Sequence, residues 1–174
     1  YRDYPHNKNL TFFCDADSLF IQKLDLNLLK ENIYLIKRDV NFIMNHNWPE
    51  YYPEFVNKSS MELMPYLFGG MAIRNNKKFF SDLLEKCYIL PDRFHRWYGD
   101  QYSLTLLINE KKYQINFLPI NTYLKVVRQV VSVNDFDALV KNNSKIITFK
   151  GVNTKKFIEK SYDNLVKFYE KQSL

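Results

Sequence analysis

Two carboxylates two residues apart, Asp15 and Asp17, follow directly on the apolar run Leu10-Thr11-Phe12-Phe13-Cys14. A short apolar run that stops at charged residues predicts a buried strand whose carboxyl end reaches the surface. Residues two apart on a strand share a face, so this spacing predicts two carboxylates side by side at that end. In α/β sheets ligands bind outside the carboxyl ends of the strands. Hard carboxylate oxygens placed there suit Mg2+ or Mn2+, bridged to a diphosphate. Such an ion would neutralise the charge that develops on a leaving diphosphate. The same spacing also arises where aspartates only close a turn or cap a helix.

The elements that must hold this pair are readable from periodicity. A second strand is predicted at Ile33–Lys37, and Phe68-Gly69-Gly70-Met71-Ala72-Ile73 reads as a glycine turn entering a buried strand. Phe79, Phe80, Leu83, Leu84 and Cys87 fall on one helical face. Asp100 begins a further helix through Leu107, Ile115–Leu118 is a strand stopped by Pro119, and Lys145–Phe149 is a strand closing on Gly151. From Thr154 to Lys171 an amphipathic helix is predicted, with Ile158, Tyr162, Leu165 and Tyr169 on its apolar stripe. The stretch Asn45–Lys58 has neither period and reads as a loop; its His46, Trp48, Tyr51 and Tyr52 either anchor that loop or offer aromatic faces for a lid. Strands alternating with helices give an α/β class. No repeat or Gly/Ser linker divides residues 1–174, which are read as one domain. The chain starts at Tyr1 and reaches its aspartates after fourteen residues, which we read as part of a longer chain lacking its N-terminal portion.

Five blocks, in order, resemble those of GT-A glycosyltransferases, the glycogenin-like and lipopolysaccharide galactosyltransferase-like group in particular. They are Phe12-Phe13-Cys14-Asp15-Ala16-Asp17-Ser18-Leu19-Phe20, Phe68-Gly69-Gly70-Met71-Ala72-Ile73-Arg74-Asn75, Gly99-Asp100-Gln101-Tyr102-Ser103-Leu104, Leu118-Pro119-Ile120-Asn121-Thr122-Tyr123, and Ile147-Thr148-Phe149-Lys150-Gly151 with Lys155 beyond. The resemblance implies the C-terminal catalytic portion of a Rossmann-related GT-A fold. It implies transfer of a sugar from a nucleoside-diphosphate sugar, a UDP-sugar by preference, to a saccharide or lipid-linked acceptor, with Mn2+ or Mg2+ as cofactor. Asp17 would be the principal metal ligand, and Asp15 would touch the metal and the donor. Gly69 and Gly70 would let the backbone approach the donor sugar, Asp100 and Gln101 would face the sugar or acceptor as the catalytic pair, and Lys150, Gly151 and Lys155 would lie against the diphosphate. Thr148 stands where the group places a metal-binding histidine.

Bulk composition bounds the alternatives. The 174 residues are 46% hydrophobic and 25% charged, which suits a folded domain with a core rather than a disordered chain. The formal net charge is +6, and Lys141, Lys145, Lys150, Lys155, Lys156, Lys160, Lys167 and Lys171 concentrate it near the C-terminal end, favouring phosphate-bearing ligands or an anionic membrane surface. No run approaches the roughly 18 apolar residues of a membrane span, no signal-peptide pattern opens the chain, and Cys14 and Cys87 read as buried free thiols of a reducing, cytoplasmic compartment. Peripheral contact with the inner face of a membrane fits the lysines. No nucleic-acid-binding motif is present. The rival enzyme reading is a haloacid-dehalogenase-like phosphatase with Asp15 as nucleophile and Asp17 as general acid, although Leu104 stands where its later acidic residue is needed. A non-enzymatic polyanion- or membrane-binding module is the second alternative.

Overall fold

The computed structural model describes residues 10–25, 27, 29–39, 41, 43–44, 53–74, 76–95 and 98–173. In chain order the elements are β1 (Leu10–Cys14), β2 (Ser18–Phe20), β3 (Ile33–Lys37), α1 (Ser60–Leu63), β4 (Tyr66–Arg74), α2 (Lys77–Ile89), α3 (Gly99–Asn109), β5 (Asn116–Leu118), α4 (Ile120–Tyr123), β6 (Lys125–Val127), α5 (Val133–Lys141), β7 (Ile146–Phe149) and α6 (Thr154–Gln172). The class is α/β, with one four-stranded sheet in the order β1-β4-β3-β5 and one three-stranded sheet in the order β2-β7-β6. By contact density the chain resolves into two compact units, the first holding residues 1–13 and 29–117, the second residues 14–28 and 118–174.

In the first unit β3 is buried over Ile33, Tyr34, Leu35 and Ile36, the near-continuous apolar run of a strand covered on both faces. It pairs antiparallel with β4, and the register steps from Leu35↔Met71 to Ile36↔Leu67. Phe68, Gly69 and Gly70 therefore form a bulge inside β4, not a turn before it as the glycines predicted. Gly70 is required there by packing: a Cβ at this position would lie 2.8 Å from Ile36 Cδ1 and 3.3 Å from Ile36 Cβ. Helix α2 begins where the Asn76 side chain accepts a hydrogen bond from Phe79 N at 3.0 Å, an N-cap that satisfies one of the free amides. Its Phe79, Phe80 and Leu83 pack with Leu104 and Leu107 of α3 and with Ile33, Leu35, Met71 and Ile73 of the sheet. A second cluster gathers Met44, Phe55, Leu63, Met64, Leu90 and Phe94, so Phe55 of the predicted loop is an anchor. The lid expected from His46, Trp48, Tyr51 and Tyr52 lies outside the described residues.

In the second unit β2 pairs antiparallel with β7 and β6 pairs parallel with it. Helix α6 packs on β2 and β7, and α5 packs on α6. The core is Ile21, Val131, Phe136, Ile147, Phe149, Leu165 and Phe168. The buried stripe of α6 differs from the predicted one. Ser161, Leu165 and Phe168 are buried, whereas Tyr162 and Tyr169 are exposed. The reason is a backbone demand: Val131 N donates to Ser161 Oγ at 2.9 Å and Val131 O accepts from Asn164 Nδ2 at 2.9 Å. A polar residue thus occupies a core position because it satisfies a buried amide. Helix α5, which the sequence reading did not name, turns Val133, Phe136, Leu139 and Val140 to the core and starts at a capping box: Asp135 N donates to Ser132 Oγ and Ser132 N donates to Asp135 Oδ2. The expectation of buried thiols also fails, since Cys14 is exposed at the end of β1 and Cys87 is half-buried late in α2; both are free. No helix among the described residues is long and apolar enough to cross a membrane.

Candidate functional site

The second unit brings two distant segments to one sheet edge. Because β6 and β7 run parallel, their carboxyl ends share that edge, and because β2 runs antiparallel to β7, the amino end of β2 lies there too. Asp15 and Asp17 immediately precede β2, and Lys150 immediately follows β7. The backbone pins both: Phe149 N donates to Asp17 O at 2.9 Å and Lys150 N donates to Val127 O at 2.9 Å. This is the strand-end edge where α/β sheets bind ligands.

The side chains meet at this edge. Lys150 Nζ donates to Asp15 Oδ2 at 2.8 Å and to Asp17 Oδ2 and Oδ1 at 3.0 and 3.3 Å. Thr148, itself buried, donates from Oγ1 to Asp17 Oδ1 at 3.0 Å. Partial burial works against the lysine charge, but the hydrogen bonds to Asp15 and Asp17 outweigh it and hold the Lys150 pKa above the ordinary lysine value. Lys150 is therefore a standing positive charge. The Asp15 and Lys150 side chains keep 42% of their surface in solvent and Asp17 keeps 27%, so the cluster is open to a ligand.

The sequence predicted the two carboxylates on a strand end, sharing a face by alternation. In the structure β1 ends at Cys14 and residues 15–17 form the turn into β2. The aspartates converge because one ammonium and one hydroxyl from the β7 segment gather them, not because of a pleat. The donor set suits a hard divalent ion, which is commonly held by one or two carboxylates together with substrate phosphates and water. Two carboxylates and the Thr148 hydroxyl supply such a set, and the Lys150 ammonium shows that the pair already accommodates a cation among its oxygens. Among the described residues no group of three or more His, Cys, Asp or Glu side chains that could hold a metal ion gathers.

The remaining sequence-predicted residues have local settings. Gly151, next to Lys150, has φ of +129° with nothing within 4 Å of where a Cβ would stand, so backbone conformation and not space calls for glycine; its carbonyl accepts from Thr154 Oγ1. Lys155, in the first turn of α6, is almost fully exposed and sits 3.8 Å from Glu159, as a solvated helix charge would. Gly69, Gly70, Asp100 and Gln101 belong to the first unit. There Asp100 Oδ1 accepts from Gln101 N at 2.7 Å, and Gln101 Oε1 accepts from Arg38 Nη2 at 2.8 Å. The role of Thr148 as a donor to Asp17 was not foreseen.

Comparison with known protein families, with curated proteins and with solved structures finds no match to the chain.

Proposed function

We propose that the chain is the catalytic portion of a metal-dependent GT-A glycosyltransferase, moving a sugar from a nucleoside-diphosphate sugar to a saccharide or lipid-linked acceptor. One observation carries the reading. The first and last of the five resembling blocks, which contribute Asp15 and Asp17 and then Thr148 and Lys150, lie side by side at one strand-end edge. Nothing in their separate sequences required this adjacency. Thr148 also stands against Asp17 at the position where the resembled group carries its metal-binding histidine, so the alignment of the blocks is consistent with the contacts.

On this reading Asp15 and Asp17, assisted by Thr148, hold Mn2+ or Mg2+. The ion, when bound, neutralises charge on the departing diphosphate. Lys150 supplies a second positive charge for the same oxygens, and its partly exposed, flexible stem lets it turn towards them. Gly151 lets the backbone take the positive φ found beside Lys150. The resemblance assigns Gly69 and Gly70 to the donor sugar and Asp100 and Gln101 to the sugar or acceptor; all four belong to the first unit, and the proposal rests on the cluster of the second unit.

The test is calorimetric binding of a panel of nucleoside diphosphates with and without Mn2+, run on the chain and on Asp17→Asn. The expected result is metal-dependent binding of one diphosphate, UDP by preference, that the variant loses. A folded protein that binds no diphosphate with or without metal would sink the reading.

A further inference from the structure

Lys150 makes contacts that a lysine reserved for a diphosphate would not need. Its ammonium has three protons and no acceptor, and the three carboxylate oxygens within 3.3 Å of it belong to the very pair proposed to hold the metal. Asp17 Oδ1 also receives the Thr148 hydroxyl. A divalent ion bound through the same carboxylates would stand beside that ammonium, and two positive charges at such separation repel strongly in a partly dehydrated site. The lysine and the ion therefore compete for one place. What permits both to serve a single site is the form of the lysine. Its backbone is fixed by the bond from Lys150 N to Val127 O, while its side chain is partly exposed on a flexible four-carbon stem.

Building on the proposed function, we propose that Lys150 is a built-in counter-cation that excludes a divalent ion from Asp15 and Asp17 until a diphosphate draws the ammonium away. Without ligand, the lysine occupies the space between the two carboxylates and neutralises one of their two charges. An arriving diphosphate offers the ammonium another anionic partner, and the vacated carboxylates then take the ion. Metal and diphosphate binding become mutually dependent, since each removes the obstacle to the other, and by linkage the dependence is equal in both directions.

The test is Mn2+ binding without nucleotide, read from the paramagnetic resonance signal of the free ion, for the wild type, Lys150→Met and Lys150→Gln, with thermal melts confirming that each variant is folded. Asp17→Asn combined with Lys150→Met locates the ion. Both single variants are expected to bind Mn2+ about tenfold or more tightly than the wild type, the double variant to lose that binding, and UDP to raise Mn2+ affinity in the wild type far more than in Lys150→Met. Equal or weaker Mn2+ binding by the single variants overturns the proposal, as does tight binding that survives in the double variant. Tighter Mn2+ binding by the single variants without any diphosphate binding would keep Lys150 as a counter-cation but overturn both its release by diphosphate and the glycosyltransferase reading, whereas diphosphate binding with unchanged Mn2+ affinity in the variants would overturn the counter-cation alone, so the two failures are distinguishable.

Discussion

Asp82 in α2 accepts hydrogen bonds from Lys78 Nζ at 3.0 Å and from Tyr113 Oη at 2.8 Å. The Lys78 and Tyr113 bonds, with weaker help from Lys112, hold the Asp82 pKa below its ordinary 3.8. Burial, followed by the Asp82 bond, pushes Tyr113 above its ordinary 10.0. The signs give two limits. A depressed carboxylate contributes stability that is present above 3.8 and lost as pH falls through its lower folded value, whereas a raised phenol contributes stability that is present below 10.0 and lost as pH rises through its folded value. The stability difference between wild type and Tyr113→Phe, measured by urea denaturation, should be flat between those values and shrink beyond each of them; a difference that grows with alkali would contradict the arrangement. At this scale the sequence exposed the chemistry of single residues unevenly. Asp15 and Asp17 were legible because two acids end an apolar run. Lys150 and Thr148 were legible only by resemblance, because a contact over 131 or 135 positions leaves no local trace. The Asp82–Tyr113 bond likewise had no pattern to announce it.

Elements long enough to show an apolar period were mostly legible. Strand β3 coincides with its predicted span, and α2, α3 and α6 fall within a few residues of theirs, as fraying ends allow. Strands β2 and β6, of three residues each, are too short to show a period, whereas α5 carries a helical apolar face, Val133, Phe136, Leu139 and Val140, that the sequence reading passed over. The bulge in β4 gives a direct test of why glycine occupies position 70. Gly70→Ala should cost about 1–3 kcal/mol through overpacking against buried Ile36. Ile36→Val, which removes the nearest atom, should cost about 0.5–1.5 kcal/mol alone. Together they should be less destabilising than their sum, because trimming Ile36 makes room for the new methyl. Strict additivity in denaturant titrations would show that the close approach does not govern this position.

Over the whole molecule, the second unit is discontinuous: residues 14–28 and 118–174 share one core although the first unit's residues 29–117 intervene. Ile21 from the early segment packs among Phe136, Ile147, Phe149 and Leu165 of the late one, and Ile21 N donates to Lys145 O at 2.8 Å. A fragment of residues 118–174 lacks β2 and leaves β7 unpaired on one side. It should show no cooperative thermal transition by circular dichroism, and a peptide of residues 14–28 supplied in trans should restore one. A sharp melt from the fragment alone would show that the late segment is self-sufficient. The sequence offered no sign of this division, because no linker composition marks the crossings between units and each falls at an ordinary apolar stretch. The α/β class itself was readable from alternating elements, whereas sheet membership depends on which strands find one another in space.

That discontinuity has a consequence for synthesis. Asp15 and Lys150 are 135 positions apart, so at about 5–20 residues per second the ribosome takes about 7–27 s to pass from one to the other. Throughout that interval the nascent chain carries two carboxylates without their lysine and a β2 segment without its strand partner. Slow codons between the two positions would prolong this exposure without altering a single amino acid of the finished protein.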